Sequence, residues 1–244
     1  MTFDLDETTA RVRAEARTAA AGLAAAAHEL DASAVMTGAA RATARAAVPA
    51  PDPLLPWVVA IEEIAAVSGS LAVDAALPGG DGAGARSWMG LRGVDLDGAL
   101  RARDHAARDL AVAAVLVGLG RAAIDGALDG LRAAKAAGGR PEQQHWGLAD
   151  AATEVDAARL LLWRAATAVP ASAPVAGVQG AMARMQARTA AESAVAVARR
   201  VLGAEAGAAG STLDRITRDV ATATLVFGGA DGEETAVAAG VLPG

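Results

Sequence analysis

The chain has 244 residues, with 22 Lys and Arg against 28 Asp and Glu for a net charge of −6, no cysteine, and only 2% aromatic residues. These numbers exclude disulfides, thiolate metal sites and a cysteine nucleophile, and leave neither a basic stripe nor a stacking platform for nucleic acid. Hydrophobic residues reach 53%, but much of that is alanine, the best helix former, so the expected fold is all-α with a core of many shallow contacts.

Residues 7–31 read as an alanine-rich helix. Pro49, Pro51, Pro53 and Pro56 predict an extended segment from Val48 to Pro56. Beyond it Leu54, Trp57, Val58, Ile61, Ile64 and Ala65 recur at helical spacing, with Glu62 and Glu63 on the other face. A second apolar stretch, Ser70–Leu77, closes a compact N-terminal helical part. Pro78-Gly79-Gly80-Asp81-Gly82-Ala83-Gly84 is the clearest break in the chain, and Ser87–Leu96 has weak strand or turn character.

Helical pattern resumes near Ala102 and runs to about Ala137, where Gly138-Gly139 predicts a stop. Further helices are expected over about Gly147–Val169, ended by Pro170 and Pro174, and over about Val178–Leu202, with Met182 and Met185 on its apolar side. Ser211, Thr212 and Asp214 form an N-cap region for a helix carrying Leu213, Ile216 and Val220. Phe227-Gly228-Gly229 then turns into a short terminal helix. No repeat of fixed period is present. The expected organisation is a helical part over 1–80, a Gly-rich link over 81–103 and a helical bundle over 104–244. The acidic start, Met1–Asp6, has no apolar signal region, and the run Leu110–Gly120 falls short of the ~20 residues that span a bilayer. A cytoplasmic protein with no membrane span is expected.

Four stretches, in this order, resemble the acyl-CoA dehydrogenase family. Val59-Ala60-Ile61-Glu62-Glu63-Ile64-Ala65-Ala66-Val67 with Ser70-Leu71-Ala72 is similar to the family's N-terminal helix with paired glutamates. Leu148-Ala149-Asp150-Ala151-Ala152-Thr153-Glu154-Val155-Asp156-Ala157-Ala158-Arg159-Leu160-Leu161 is similar to a helix of its C-terminal four-helix bundle. The segment from Ala191-Glu192 to Leu202-Gly203 resembles the next helix and its glycine turn. Arg215-Ile216-Thr217-Arg218-Asp219 with Phe227-Gly228-Gly229 resembles the arginine–aspartate helix and the loop that carries the catalytic carboxylate. The resemblance implies that Arg159, Arg215, Arg218 and Asp219 hold helices together. It also implies a β-barrel between the two helical parts, against which FAD lies. Strands average about 5–6 residues, so a barrel of six to eight needs upwards of about 60, and the interval from Pro78 to Arg103 is too short. The barrel is expected to be missing, with Met89-Gly90-Leu91-Arg92-Gly93 a plain loop or a remnant of its exit.

The family is an oxidoreductase family of lipid metabolism: a carboxylate takes the α-proton of an acyl-CoA thioester while the β-hydrogen leaves as hydride to the flavin. Such a base must reach that proton, in a site whose dryness raises its pKa. Where many members carry this Glu, the chain has Gly228. Where others carry it, on the first helix of the C-terminal part, the chain offers only Asp104 and Asp109. Asp109 and Glu234 are therefore the catalytic candidates, although Glu233 and Glu234 also suit the first turn of a terminal helix.

The family's signature for a neighbouring subunit's FAD is matched by Lys135-Ala136-Ala137-Gly138-Gly139, with the chain's only lysine in place of arginine. Its Gln-x-x-Gly-Gly turn is matched by Arg200-Val201-Leu202-Gly203-Ala204, and the loop after the base by Gly229-Ala230-Asp231-Gly232. Lys135, Arg200, Gly203 and Gly229 are thus the cofactor-binding candidates. His28, His105 and His145 have no metal-ligand spacing, and no phosphate loop or nucleophile elbow is present.

Three functions follow from the resemblance. The first is a catalytically incomplete subunit working in a heteromer with a full-length, FAD-holding homologue on an acyl-CoA thioester, self-association through the C-terminal bundle being the other mode of assembly. The second is a self-sufficient flavin enzyme with a reduced site. The third is a non-catalytic helical binding module.

Overall fold

The computed structural model describes residues 4–78, 90–101, 105–138, 145–168, 173–228 and 230–241. Ten α-helices follow in chain order among them: α1 (Glu7–Ser33), α2 (Gly38–Ala47), α3 (Leu54–Ala65), α4 (Gly69–Ala76), α5 (Leu96–Arg101), α6 (His105–Ala136), α7 (His145–Ala168), α8 (Ala173–Leu202), α9 (Thr212–Val226) and α10 (Ala230–Val241). A 3-10 turn, Gly203–Gly207, follows α8. No strand occurs among the described residues. Residues 77–104 alone separate α4 from α6, too few for a barrel of about 60 residues, and Leu96–Arg101 within them is helical. The fold is all-α with the barrel missing.

Side-chain caps set several helix starts by accepting an orphan N–H. Asp6 accepts from Thr9 N at 2.7 Å, Ser68 from Leu71 N at 3.3 Å and Ser211 from Asp214 N at 3.0 Å. Two starts correct the sequence expectation. α3 begins at Leu54, so Pro56 lies in its first turn instead of ending an extended run, and α8 begins at Ala173, with Pro174 inside. A proline costs little there, because the first N–H groups of a helix have no intrahelical partner. The weak strand character before Leu96 gives way to α5, where Asp95 Oδ1 accepts from Gly98 N at 2.9 Å. α2, capped by Thr37, has no counterpart in the sequence reading.

α6 packs on α7 and α8, and α9 lies against α6 and α8, forming the four-helix bundle, with α10 along α8. α3 lies across α6 and α7 under α1 and α4. Leu110 to Val117 of α6 and Trp57 to Ala65 of α3 are buried on every side, so the buried apolar side chains of the N-terminal helices and the bundle form one continuous cluster. A Cβ at Gly118 would stand 2.4 Å from the Glu62 carbonyl, which is why α6 carries glycine where it crosses α3. The stretch Ala106–Ala136 is long and apolar enough to cross a membrane, with mean hydropathy 1.7 in its most apolar window, yet 78% of that window is buried. Helices all round α6 account for its apolarity.

Candidate functional site

Three segments converge at the start of the bundle: α6 brings Asp109, α8 brings Arg184, and the turn after α9 brings Phe227 and Gly228. Asp109 and Arg184 are both buried. Arg184 Nη1 donates to Asp109 Oδ1 at 2.8 Å and to the Phe227 carbonyl at 2.6 Å. Gly228 has φ +114, a conformation that suits glycine, and a Cβ there would lie 3.2 Å from Arg184 Nη2. The two positions at which the sequence suggests a base, Asp109 and Gly228, therefore meet across one guanidinium. One offers no carboxylate, and the other has committed Oδ1 to a charge-assisted hydrogen bond in a dry site. The pairing favours the ionised carboxylate and fixes its orientation toward Arg184.

Glu234 lies on an exposed part of α10. Lys135 is exposed on the last turn of α6, in a groove between α6 and α7. At 1.5 Å per residue it stands about 39 Å along α6 from Asp109, so the catalytic and cofactor candidates occupy opposite ends of the helix. Arg200 is exposed near the end of α8, against Gly147 at the start of α7. Gly203 takes φ +60 and turns the chain out of α8. The structure thus gathers Lys135 and Arg200 around the first turns of α7 but on different flanks, one toward α6 and one toward α8. Gly229 and Asp104 lie outside the described residues.

Arg184 is absent from the sequence reading, yet a signal for it exists. It interrupts a stripe of buried alanines, Ala181, Ala183 and Ala187, and an arginine in such a stripe requires a buried partner. Glu62 and Glu63, on the face of α3 away from its apolar stripe, are 1% and 2% exposed, a burial that the sequence reading leaves unstated. Arg121 and Arg159 reach Glu62 Oε1 at 3.0 and 2.7 Å, while Arg13, Arg17 and Arg121 reach Glu63 at 2.7, 3.0 and 2.8 Å. Burial pushes the Glu63 carboxyl up, but hydrogen bonds from Arg121, Arg17 and Arg13 and the charge of Arg121 outweigh it and hold the pKa at about 2.

The arginine–aspartate helix α9 also ties elements together. Arg218 Nη2 donates to both oxygens of Asp31 at 2.8 and 3.0 Å, and Arg215 donates to the Val67 carbonyl. Asp219 Oδ1 accepts from Leu91 N at 2.7 Å, and Thr222 Oγ1 accepts from Gly90 N at 2.8 Å, clipping the end of the link to the bundle. Burial pushes the Asp219 carboxyl up to about 6, against the Leu91 N–H and the charges of Arg215 and Arg218.

A family model described as the C-terminal domain of acyl-CoA dehydrogenase matches residues 106–242. Among solved structures, the chain is similar to a glutaryl-coenzyme A dehydrogenase in complex with glutaryl-CoA, at TM-score 0.76 and 17% identity over 98% of this chain and 96% of that one. It is also similar to butyryl-CoA dehydrogenase from Megasphaera elsdenii, at TM-score 0.75 and 13% identity over 99% of this chain and 100% of that one. A chain in a structure described as the electron-transferring flavoprotein of Acidaminococcus fermentans, toward a mechanism of flavin-based electron bifurcation, gives TM-score 0.77 and 14% identity over all of both chains. No curated protein matches the sequence significantly. At these identities the structural likeness is one of fold.

Proposed function

Because the chain belongs to the acyl-CoA dehydrogenase family, we propose that it is a dependent subunit, joined to an FAD-holding partner that supplies the base for dehydrogenation of an acyl-CoA thioester. The observation that carries this reading is the Arg184–Asp109 pair at 2.8 Å, with Gly228 against the same guanidinium. Gly228 has no carboxylate, and Asp109 is buried in an ion pair within its own chain, which supports a partner as the source of the base.

The residues of this chain do not fit a complete flavin site. Arg200, exposed at the end of α8, and the Gly203 turn suit one phosphate at the rim of a partner's cofactor, which a guanidinium binds well. Residues 77–104 are too few to form the β-barrel wall against which the family's cofactor lies. No chemical step is assigned to a flavin held by this chain alone. Its contribution is to cover the partner's site, exclude water from it and hold α9 in place. The cytoplasm is the compartment that goes with this reading; the burial of α6 inside the bundle supports a core helix over a membrane span.

The test is turnover of an acyl-CoA by the co-purified complex. Asp109→Asn, checked for helical content, leaves turnover within about twofold of wild type. A fall of a hundredfold or more in a folded variant would identify Asp109 as the base and overturn the reading. The satisfied ion pair also suits a purely helical binding module. That alternative predicts neither flavin nor turnover in any assembly.

A further inference from the structure

The groove between α6 and α7 has no place in the reading above. It encloses about 390 Å³, with Ile124, Leu128 and Leu131 from α6 and Leu148, Ala149 and Ala152 from α7 along it. Among the described residues, its charged lining is Arg132 and Lys135, and no carboxylate lines it. Ile124, Leu128, Leu131 and Lys135 follow at helical spacing on one face of α6. At 1.5 Å per residue the trough from Ile124 to Lys135 runs for about 16 Å, with charge at one end. Lys135 has no ion pair among the described residues. Arg132 Nη1 meets Asp129 Oδ1 at 2.7 Å, but the two side chains are 72% and 75% exposed, and such a pair contributes little and leaves the guanidinium open to a second anion.

What fits follows from that lining. An apolar trough with two cations at its end is complementary to an aliphatic chain that carries a negative head. Arg132 follows Leu131 directly and Lys135 stands one turn on, so no spacer separates hydrocarbon from charge. A carboxylate, at the very end of its chain, meets that requirement. The charges of a nucleotide thioester stand well beyond the acyl carbons, and a phospholipid brings a second chain that one trough does not hold.

We propose that the α6–α7 groove binds an unbranched aliphatic carboxylate, its chain along Ile124, Leu128 and Leu131 and its head against Arg132 and Lys135. Lys135 stands about 39 Å along α6 from Asp109, and the groove opens on the α6 side of α7, away from Arg200. The site is therefore separate from the one described above, and it gives Lys135 a carboxylate in place of a cofactor phosphate. It stands or falls separately from the sharing of flavin.

The experiment is titration calorimetry of the full chain with dodecanoate below its micelle concentration. Wild type binds one equivalent, and decanoate, two methylenes shorter, binds about tenfold more weakly. Lys135→Glu and Ala149→Phe both change exposed positions and are both checked for helical content. The first sets a like charge beside the head and weakens binding at least about tenfold; the second fills the trough and abolishes it. Dodecyltrimethylammonium, with the same chain and the opposite charge, does not bind. A wild type that ignores dodecanoate overturns the proposal and leaves the groove to a protein partner. Equal binding of the two head groups, or variants that bind like wild type, would mean adsorption to apolar surface and would overturn it as well.

Discussion

Arg184 Nη1 lies 2.8 Å from Asp109 Oδ1, and the same nitrogen lies 2.6 Å from the carbonyl of Phe227. One buried cation thereby joins α6, α8 and the turn after α9. Removing one member of a buried ion pair strands the other, at about 3–5 kcal/mol. Arg184→Ala is expected to lose stability of that order in chemical denaturation. Replacing both residues, Arg184→Met with Asp109→Leu, is expected to recover most of it, since an apolar pair of similar volume often matches a buried ion pair.

Glu63 sets an acid limit. Its folded-state pKa of about 2 lies below the ordinary value of about 4.3, so its stabilisation is fully present above about pH 4.3 and disappears as the pH falls through 2. The shift corresponds to roughly 3 kcal/mol at neutral pH. Urea denaturation of wild type and Glu63→Gln from pH 7 to 2 measures it: the gap between them closes in that window.

Asp219 acts with the opposite sign. Its folded-state pKa of about 6 exceeds the ordinary value of about 3.9, so the folded chain is favoured below pH 3.9 and loses roughly 3 kcal/mol as the pH rises to 6. Asp219→Asn keeps an acceptor for the Leu91 N–H and does not ionise. The stability of wild type relative to this variant is expected to fall between pH 4 and 6 and to be flat above.

The long helices of the bundle were legible because their apolar residues repeat on one face, and the Ser211 cap because its signal is local. Glu62 and Glu63 were not. Periodicity correctly sets them off from the Leu54–Ile61 stripe, but α3 is enclosed, and its polar face is met by arginines from α1, α6 and α7. Pairings across such distances in sequence leave no local mark. Arg184 escaped for the same reason, its partners Asp109 and Phe227 arriving from other helices. The resemblance points to Asp109 through the type and place of the residue, and neither reports the guanidinium that the fold sets beside it.

Gly118 tests the crossing of α3 and α6. Alanine is the better helix former by about 1 kcal/mol, yet a Cβ would meet the Glu62 carbonyl at 2.4 Å. Gly118→Ala is expected to destabilise by about 1–3 kcal/mol in spite of its propensity, as overpacked cores do. Thermal denaturation followed by the helical signal reads it.

The central claim is that this chain supplies one side of a flavin site and not both. Its most direct measurement is the flavin absorbance that survives gel filtration after the purified chain is incubated with excess FAD, first alone and then with its FAD-holding partner. The account predicts no retained flavin for the chain alone and about one flavin per partner subunit in the complex. Stoichiometric flavin on the isolated chain would contradict it.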